Sequence, residues 1–291
     1  MTVSHLPEPA AAAIEGAIAA RIFPGCVLLV AAPGQPSLHV ACGSTMYDDA
    51  GSRPVAPGDI YDVASLTKVF TATAALVLHD RGQVALDREA RHYLPALRAR
   101  GVTVRHLLTH SSGLDLRLSA GFNPPAALAP RIPPTEWDEA WRGGLVHGGV
   151  HDESAAALGG VAGHAGLFST AADLERLLRL WLQGGAWGGR QLLREAGVAA
   201  ALRDHTAGLP TLSGVPVRSG LGWMLDRANF MGAAPAGSFG HTGFTGPAMV
   251  GVPARGLAFV LLSNRTYPRR TPPPYRHHAV TADVLETVLT Q

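Results

Sequence analysis

Lysine occurs once in the 291-residue sequence, as Lys68, and it follows Ser65 by three residues in the segment 62–68, DVASLTK. The remaining 23 of the 24 Lys and Arg residues are arginines. Arginine keeps its proton near neutral pH, whereas a buried lysine can release it. If Ser65 begins a helix, positions i and i+3 share one face, so the amine lies within reach of the hydroxyl. The pair predicts a serine nucleophile activated by a lysine base.

A Ser-x-x-Lys pair also arises by chance, so it needs support from elsewhere in the chain. Three further segments supply it: LLTHSSGL at 107–114, HDESAAALGG at 151–160 and FGHTG at 239–243. In order and spacing the four segments resemble those of the penicillin-recognising serine hydrolases, which include class C β-lactamases, D-amino-acid peptidases and family VIII esterases. The resemblance covers nearly the whole chain and implies the β-lactamase/transpeptidase-like fold.

The resemblance implies roles for the residues that match it. Ser65 matches the nucleophile that becomes acylated, and Lys68 matches the amine that relays its proton. The segment His241-Thr242-Gly243 corresponds to the Lys-Thr-Gly strand that borders the cleft in this family. The backbone N–H groups of Phe244 and Ser65 are then the candidate donors of an oxyanion hole.

The chain departs from the family at its Tyr-x-Asn box, where His151 aligns with the tyrosine and Glu153 with the asparagine. A histidine, with an ordinary pKa of about 6.5, is a competent base at neutral pH, so His151 could take part in proton transfer. Alternatively, His151 only forms a hydrogen bond to Lys68 or substrate, and Lys68 alone is the base. Glu153, if near Lys68, would raise the pKa of the amine.

Other histidines among the 13 have competing interpretations. His164 lies in a Gly-rich loop, where it either caps the loop or reaches the cleft. His110 is expected to close a helix and bond backbone carbonyls. We expect neither a metal nor another cofactor. The Arg269-Arg270 pair is interpreted as a solvated turn.

The elements that must position these residues form a β, then α, then β order. The sequence predicts a helix over 8–22, a hairpin of strands 26–32 and 37–43 that pairs Val30 with Leu38 and Cys26 with Cys42, and a central helix over 65–81 capped by Asp62 or Ser65. Helices but no clear strand pairs are expected at 83–215. Strands follow at 222–226, 237–243, 248–252 and 257–263, then a helix at 280–289.

We therefore predict an α/β (α+β) fold with an antiparallel sheet flanked by helices. Residues 1–82 and 216–291 would form the sheet lobe, and 83–215 an inserted, mostly helical lobe. A net charge of +2 with scattered arginines argues against a nucleic-acid partner, and no apolar run reaches membrane-spanning length. Two cysteines and the absence of a signal-like N-terminus predict a cytoplasmic protein.

The predicted function is hydrolysis of an ester or a D-amino-acid amide through an acyl-enzyme, on a small-molecule or short peptide substrate. The alternatives are a weak β-lactamase and a catalytically inactive binding protein of the same fold.

Overall fold

The computed structural model describes residues 6–47, 50–109, 123–209, 217–271 and 275–291. The helices are α1 (Glu8–Ala19), α2 (Thr67–Asp80), α3 (Val104–Leu108), α4 (Glu153–Ala157), α5 (Ala171–Leu182), α6 (Glu195–Ala201), α7 (Ala228–Met231) and α8 (Arg276–Leu289). The strands are β1 (Gly25–Ala31), β2 (Leu38–Gly43), β3 (Tyr61–Asp62), β4 (Glu136–Asp138), β5 (Gly144–Val146), β6 (Phe168–Ser169), β7 (Ala186–Trp187), β8 (Arg190–Gln191), β9 (Met224–Leu225), β10 (Phe239–Thr242), β11 (Ala248–Val252) and β12 (Leu257–Ser263).

A six-stranded antiparallel sheet is built from both ends of the chain, in the order β2-β1-β12-β11-β10-β9. The predicted antiparallel sheet flanked by helices is thus confirmed. The hairpin register is also confirmed, since Val30 lies opposite Leu38 and Cys26 opposite Cys42. Both thiols are free and buried.

Both faces of this sheet are covered, which explains why its central strands are apolar throughout instead of alternating. Along β1, Val27 and Leu29 belong to a core shared with α2 and α5, whereas Leu28 and Val30 belong to a second core shared with α1 and α8. Alternate side chains of a strand point to opposite faces, so one buried strand serves both cores. Strand β10, which lies between β11 and β9, contacts the turn at Ala64–Leu66 that leads into α2.

The structure corrects several predictions about the elements. Three two-stranded sheets, β3–β6, β4–β5 and β7–β8, involve the middle of the chain, where no strand pair was expected. Helix α5, which the sequence assigns to the helical lobe, packs on β12, β11 and β1. Helix α8 begins one turn earlier than predicted, and α1 ends three residues earlier. The central helix α2 is not buried all round, because Thr71, Ala74 and Leu78 are exposed.

Candidate active site

Ser65 lies in a single 3₁₀ turn, Ala64–Leu66, that leads directly into α2. The preceding Ala64 has a φ of 45°, a left-handed conformation that costs a residue with a Cβ roughly 1–2 kcal/mol. The buried carboxylate of Asp62 offsets this cost by accepting a hydrogen bond from the Ala64 N–H at 2.9 Å. This hydrogen bond holds the turn that presents Ser65. The predicted cap is wrong, however, because Leu66 is the N-cap of α2 and neither Asp62 nor Ser65 caps the helix through its side chain.

Lys68, one turn along, places its Nζ 2.7 Å from the Ser65 Oγ and 3.3 Å from the carbonyl oxygen of His164. Burial lowers the pKa of the Lys68 amine to about 8, against an opposing effect of Asp152. A lysine with such a pKa is neutral in a substantial fraction of molecules near neutral pH, so it can accept a proton from the hydroxyl. The structure thus brings together the two residues that the sequence paired.

Strand β10 runs along the other side of Ser65 and carries His241, Thr242 and, just after it, Gly243 and Phe244. A Cβ on Gly243 would lie 2.6 Å from the carbonyl oxygen of Val63, so only glycine permits this approach. Thr245 adds a hydrogen bond from its Oγ1 to the Asp62 carbonyl at 2.7 Å. The turn after β10 is therefore fastened to the Ser65 turn, which keeps the Phe244 and Ser65 amides on neighbouring backbone segments.

Two cavities meet at Lys68. One, of about 190 Å³, is mainly apolar and is lined by Lys68, Thr71, Ala72, Ala75, Val104, Leu107, Leu108, Gly163, His164 and Gly222. The other, of about 250 Å³, is lined by Ser65, Lys68, Met224, His241, Thr242, Gly243, Phe244, Arg265, Tyr275, His277 and His278. A substrate carbonyl at Ser65 could extend an apolar group into the first cavity and a polar group into the second.

The second cavity has a positive wall. Arg265 is only 5% exposed, its Nε donates to the Phe244 carbonyl at 2.7 Å, and its Nη2 has no hydrogen-bond partner among the described residues. The guanidinium stacks over Phe244 and Tyr275, at 4.4 and 4.6 Å from the ring centroids. His277 is 2% exposed, neither of its ring nitrogens has a partner in the part of the chain that the structure describes, and burial lowers its pKa to about 2. A buried guanidinium without a carboxylate is costly unless a ligand supplies one.

His151 is placed beside Phe244 instead of Lys68. Its ring is 5.7 Å from the Phe244 ring, and its Nε2 donates to Glu136 at 2.8 Å. The two hydrogen bonds of the Lys68 amine go to Ser65 and to the His164 carbonyl. The structure therefore does not bring His151 to Lys68; a direct part in proton transfer stays a prediction, and the geometry gives His151 a positioning role.

Glu136 joins His151 to Arg270, whose Nε donates to the carboxylate at 2.9 Å. Burial alone would raise the pKa of Glu136, but the hydrogen bonds from His151 and Arg270 outweigh it and hold the pKa well below its usual range. Arg270 also pairs with Glu153 at 2.7 Å. Arg269 and Arg270 are both exposed, as expected for a solvated turn, although Arg270 is also ion-paired. One expectation is corrected here, because Glu153 faces Arg270 and not Lys68.

Asp152 and His164 are the pair found next to Lys68. The His164 Nε2 donates to the Asp152 Oδ1 at 3.1 Å, and this hydrogen bond lowers the pKa of Asp152 to about 2. His164 lines the apolar cavity and also holds the lysine amine through its carbonyl. Of the two alternatives for His164, a position at the cleft is therefore the one observed.

The sequence analysis missed three residues of this site: Glu136, Asp152 and Arg265. Asp152 stands beside a residue that was singled out, and its place as the N-cap of α4 was readable, since Asp before an Ala-rich helix is a common start signal. The others act through contacts distant in sequence. His110 lies outside the described residues. Over the described ranges, no three His, Cys, Asp or Glu residues cluster as metal ligands, and no helix is long and apolar enough to span a membrane.

His151→Gln tests the positioning role. The glutamine amide can still donate to Glu136, so we expect most esterase activity to remain, within about threefold, with an unchanged pH dependence. His151→Ala leaves Glu136 buried with one partner fewer and should lower the free energy of unfolding by about 1–3 kcal/mol. Denaturant unfolding and pH–rate profiles of both variants measure this. If the fall in activity toward low pH disappeared in His151→Gln, His151 would instead be a base in the reaction.

An antiparallel sheet with a serine–lysine pair at the start of a helix beside it defines the architecture of the β-lactamase/transpeptidase class. The "Beta-lactamase" family model matches residues 10–120 and 116–282, and the chain belongs to this family. A "Putative D-alanyl-D-alanine carboxypeptidase" of Salmonella enteritidis is 34% identical over 166 residues, which cover 52% of this chain and 35% of that protein. The chain thus spans about a third of the length of the curated relatives that it matches.

Solved structures show the same fold. A penicillin-binding protein homologue from Caulobacter crescentus has a TM-score of 0.74 at 18% identity, covering 98% of both chains. EstCE1, described as a hydrolase with promiscuous acyltransferase activity, has a TM-score of 0.70 at 16% identity, covering 96% of this chain and 97% of the other. The family and fold predicted from the four sequence segments are therefore confirmed.

Proposed function

We propose that the protein is a serine hydrolase that forms an acyl-enzyme at Ser65 on a D-amino-acid amide or a related ester. The observation that carries the proposal is the 2.7 Å contact between the Ser65 Oγ and a lysine amine whose pKa is lowered to about 8. A purely binding role would not require the single lysine of the chain to be buried against a serine hydroxyl.

In the proposed reaction, the Ser65 hydroxyl gives its proton to neutral Lys68 as the Oγ attacks the substrate carbonyl carbon. The developing oxyanion accepts hydrogen bonds from the Ser65 and Phe244 N–H groups. The Lys68 ammonium then protonates the leaving group as its bond to the carbonyl carbon breaks. Water, deprotonated by the same amine, cleaves the acyl-enzyme and restores Ser65.

The positive wall of the second cavity favours a substrate that carries a carboxylate near the scissile bond. Arg265 lines the cavity together with Ser65, and among the described residues its Nη2 has no hydrogen-bond partner. A peptide with a C-terminal D-amino acid carries a carboxylate on the residue that follows the scissile carbonyl. The name of the curated relatives, D-alanyl-D-alanine carboxypeptidase, agrees with this substrate class. We therefore favour peptidase activity over hydrolysis of neutral esters.

The experiment compares a peptide ending in D-Ala-D-Ala, its C-terminal amide and a neutral p-nitrophenyl ester, with fluorophosphonate labelling followed by intact mass. We expect a single adduct on Ser65 and a higher kcat/KM for the free-acid peptide than for its amide. No adduct and no turnover of any of the three substrates would favour the inactive binding protein.

Arg265→Gln isolates the contribution of the guanidinium. Hydrogen bonds to charged groups contribute roughly 1.5–3 kcal/mol, so we expect kcat/KM for the free-acid peptide to fall about 10- to 100-fold. The value for the neutral ester should change by less than about threefold, because the ester has no group for Arg265. Arg269→Gln is the matched control, since Arg269 is exposed and pairs only with Glu139 on the surface. Equal losses on both substrates would show that Arg265 only supports the Phe244 turn.

A further inference from the structure

We propose that Asp152, held in place by His164, is the counter-charge of the Lys68 ammonium that forms when Ser65 gives up its proton. The catalytic role of Asp152 rests on the proposed function, but the placement of Lys68, His164 and Asp152 does not depend on any substrate. Neither the Ser-x-x-Lys pair nor the His-Thr-Gly strand contains these two residues.

His164 links the Lys68 amine to the Asp152 carboxylate. The Lys68 amine donates to the His164 carbonyl at 3.3 Å, and the ring of the same histidine donates to the Asp152 Oδ1 at 3.1 Å. Asp152 is fixed from a second side, because its Oδ1 also accepts from the Ala155 N–H at 2.8 Å as the N-cap of α4. The carboxylate is therefore immobilised beside the lysine without a direct salt bridge that would lock the amine in its charged form.

Two opposing influences act on the amine in this position. Burial lowers the pKa of Lys68, and the charge of Asp152 raises it. Without Asp152, burial would be unopposed, and the ammonium formed during catalysis would lie in a poorly hydrated site with no nearby anion. Asp152 thus stabilises the ammonium that forms when Lys68 takes the proton, while burial keeps the pKa of the amine at about 8.

Apart from His164, the titratable or charged side chains of the described residues that share a cavity with Lys68 come from β10, from the residues that follow β12 and from the start of α8. They are His241, Arg265, Tyr275, His277 and His278. Burial lowers the pKa of both His277 and His278, which keeps them neutral over the working range. Because none of these five side chains is an aspartate or glutamate, Asp152 is the carboxylate expected to dominate the titration of Lys68.

Lys68 can be observed directly because it is the only lysine of the chain. Incorporation of ¹³C,¹⁵N-lysine gives one side-chain signal, whose Cε shift reports the protonation of the amine in the resting protein. We compare wild type with Asp152→Asn and Glu153→Gln. Asparagine is as good an N-cap as aspartate, so Asp152→Asn removes the charge and keeps the start of α4. Glu153→Gln removes one charge at the next residue, which faces Arg270.

We expect the midpoint of the Lys68 amine titration to fall by about one pH unit in Asp152→Asn and to stay unchanged in Glu153→Gln. In pH–rate profiles of Asp152→Asn, the acid limb should move to lower pH by the same amount, while the plateau falls by up to about tenfold. His164→Ala should also lower the plateau, and His164→Gln, which can still donate to Asp152, should restore most of it.

An unchanged midpoint in Asp152→Asn, or an equal shift in Glu153→Gln, would overturn the proposal. A moved midpoint with an unchanged plateau would also overturn it, because the charge would then not act during the reaction. If the midpoint moves as expected but wild type hydrolyses none of the test substrates, the placement of the counter-charge stands and the proposed function fails.

Discussion

Replacing Ser65 with alanine is expected to lower hydrolysis of esters and peptides by about three to six orders of magnitude. Loss of the nucleophile leaves only substrate binding and the oxyanion donors, which retain a small residual acceleration over water. The alanine variant should also form no adduct with a fluorophosphonate in intact-mass spectra. Fold and stability should be nearly unchanged, because the Ser65 side chain is only partly buried and, within the described residues, its hydrogen bond is to Lys68.

Ser154→Ala is the matched control for this substitution. Ser154 lies on α4, close to the site. Its replacement by alanine also removes one side-chain hydroxyl. Its activity and its labelling should equal those of wild type. Burst kinetics of normal amplitude in Ser65→Ala, or an adduct on any other residue, would show that the acylated residue had been wrongly assigned.

Much of the fold could be predicted because its signals are local and repeated. Strands β1 and β2, on either side of the turn at residues 33–36, are short apolar runs. Centring the turn on Gly34 was enough to predict which of their residues pair. The short strands β3 to β8 gave no such signal. Each has two or three residues. Strands β3 and β6 pair distant segments, with Tyr61 opposite Ser169, whereas β4–β5 and β7–β8 are very short local hairpins. Periodicity cannot be measured over so few residues.

The residues of the candidate site divide in the same way, into those with a local sequence signal and those without one. Ser65 and Lys68 could be paired because i and i+3 positions on one helix have a fixed relation. Glu153 was expected near the amine and Asp152 was not, although they are adjacent, because the direction of each side chain depends on how the turn before α4 enters the helix. Arg265 could not be recognised either. Its burial between Phe244 and Tyr275 depends on packing between β12 and α8, which the sequence does not encode locally.

The second large effect is expected for Lys68→Arg. Arginine keeps the positive charge and approximate length but does not release its proton near neutral pH, so it cannot accept the Ser65 proton. General-base catalysis contributes roughly 10²- to 10⁴-fold, and Lys68→Arg should lose at least that factor, as Lys68→Ala should. Acylation rates measured by stopped flow on both variants check this. Near-normal rates in Lys68→Arg would mean that a fixed charge suffices.

The pH dependence of wild type gives an independent check on the same residue. The pKa of Lys68 is lowered to about 8 by burial, so the amine is protonated and inactive well below this pH and neutral above it. The logarithm of kcat/KM should therefore rise with pH at a slope near one and level off above about 8. The limb should be absent from the residual activity of Lys68→Ala, since the amine that titrates in that range has been removed. A limb that persists near pH 8 in Lys68→Ala would assign the titration to another group and remove Lys68 from the role of base.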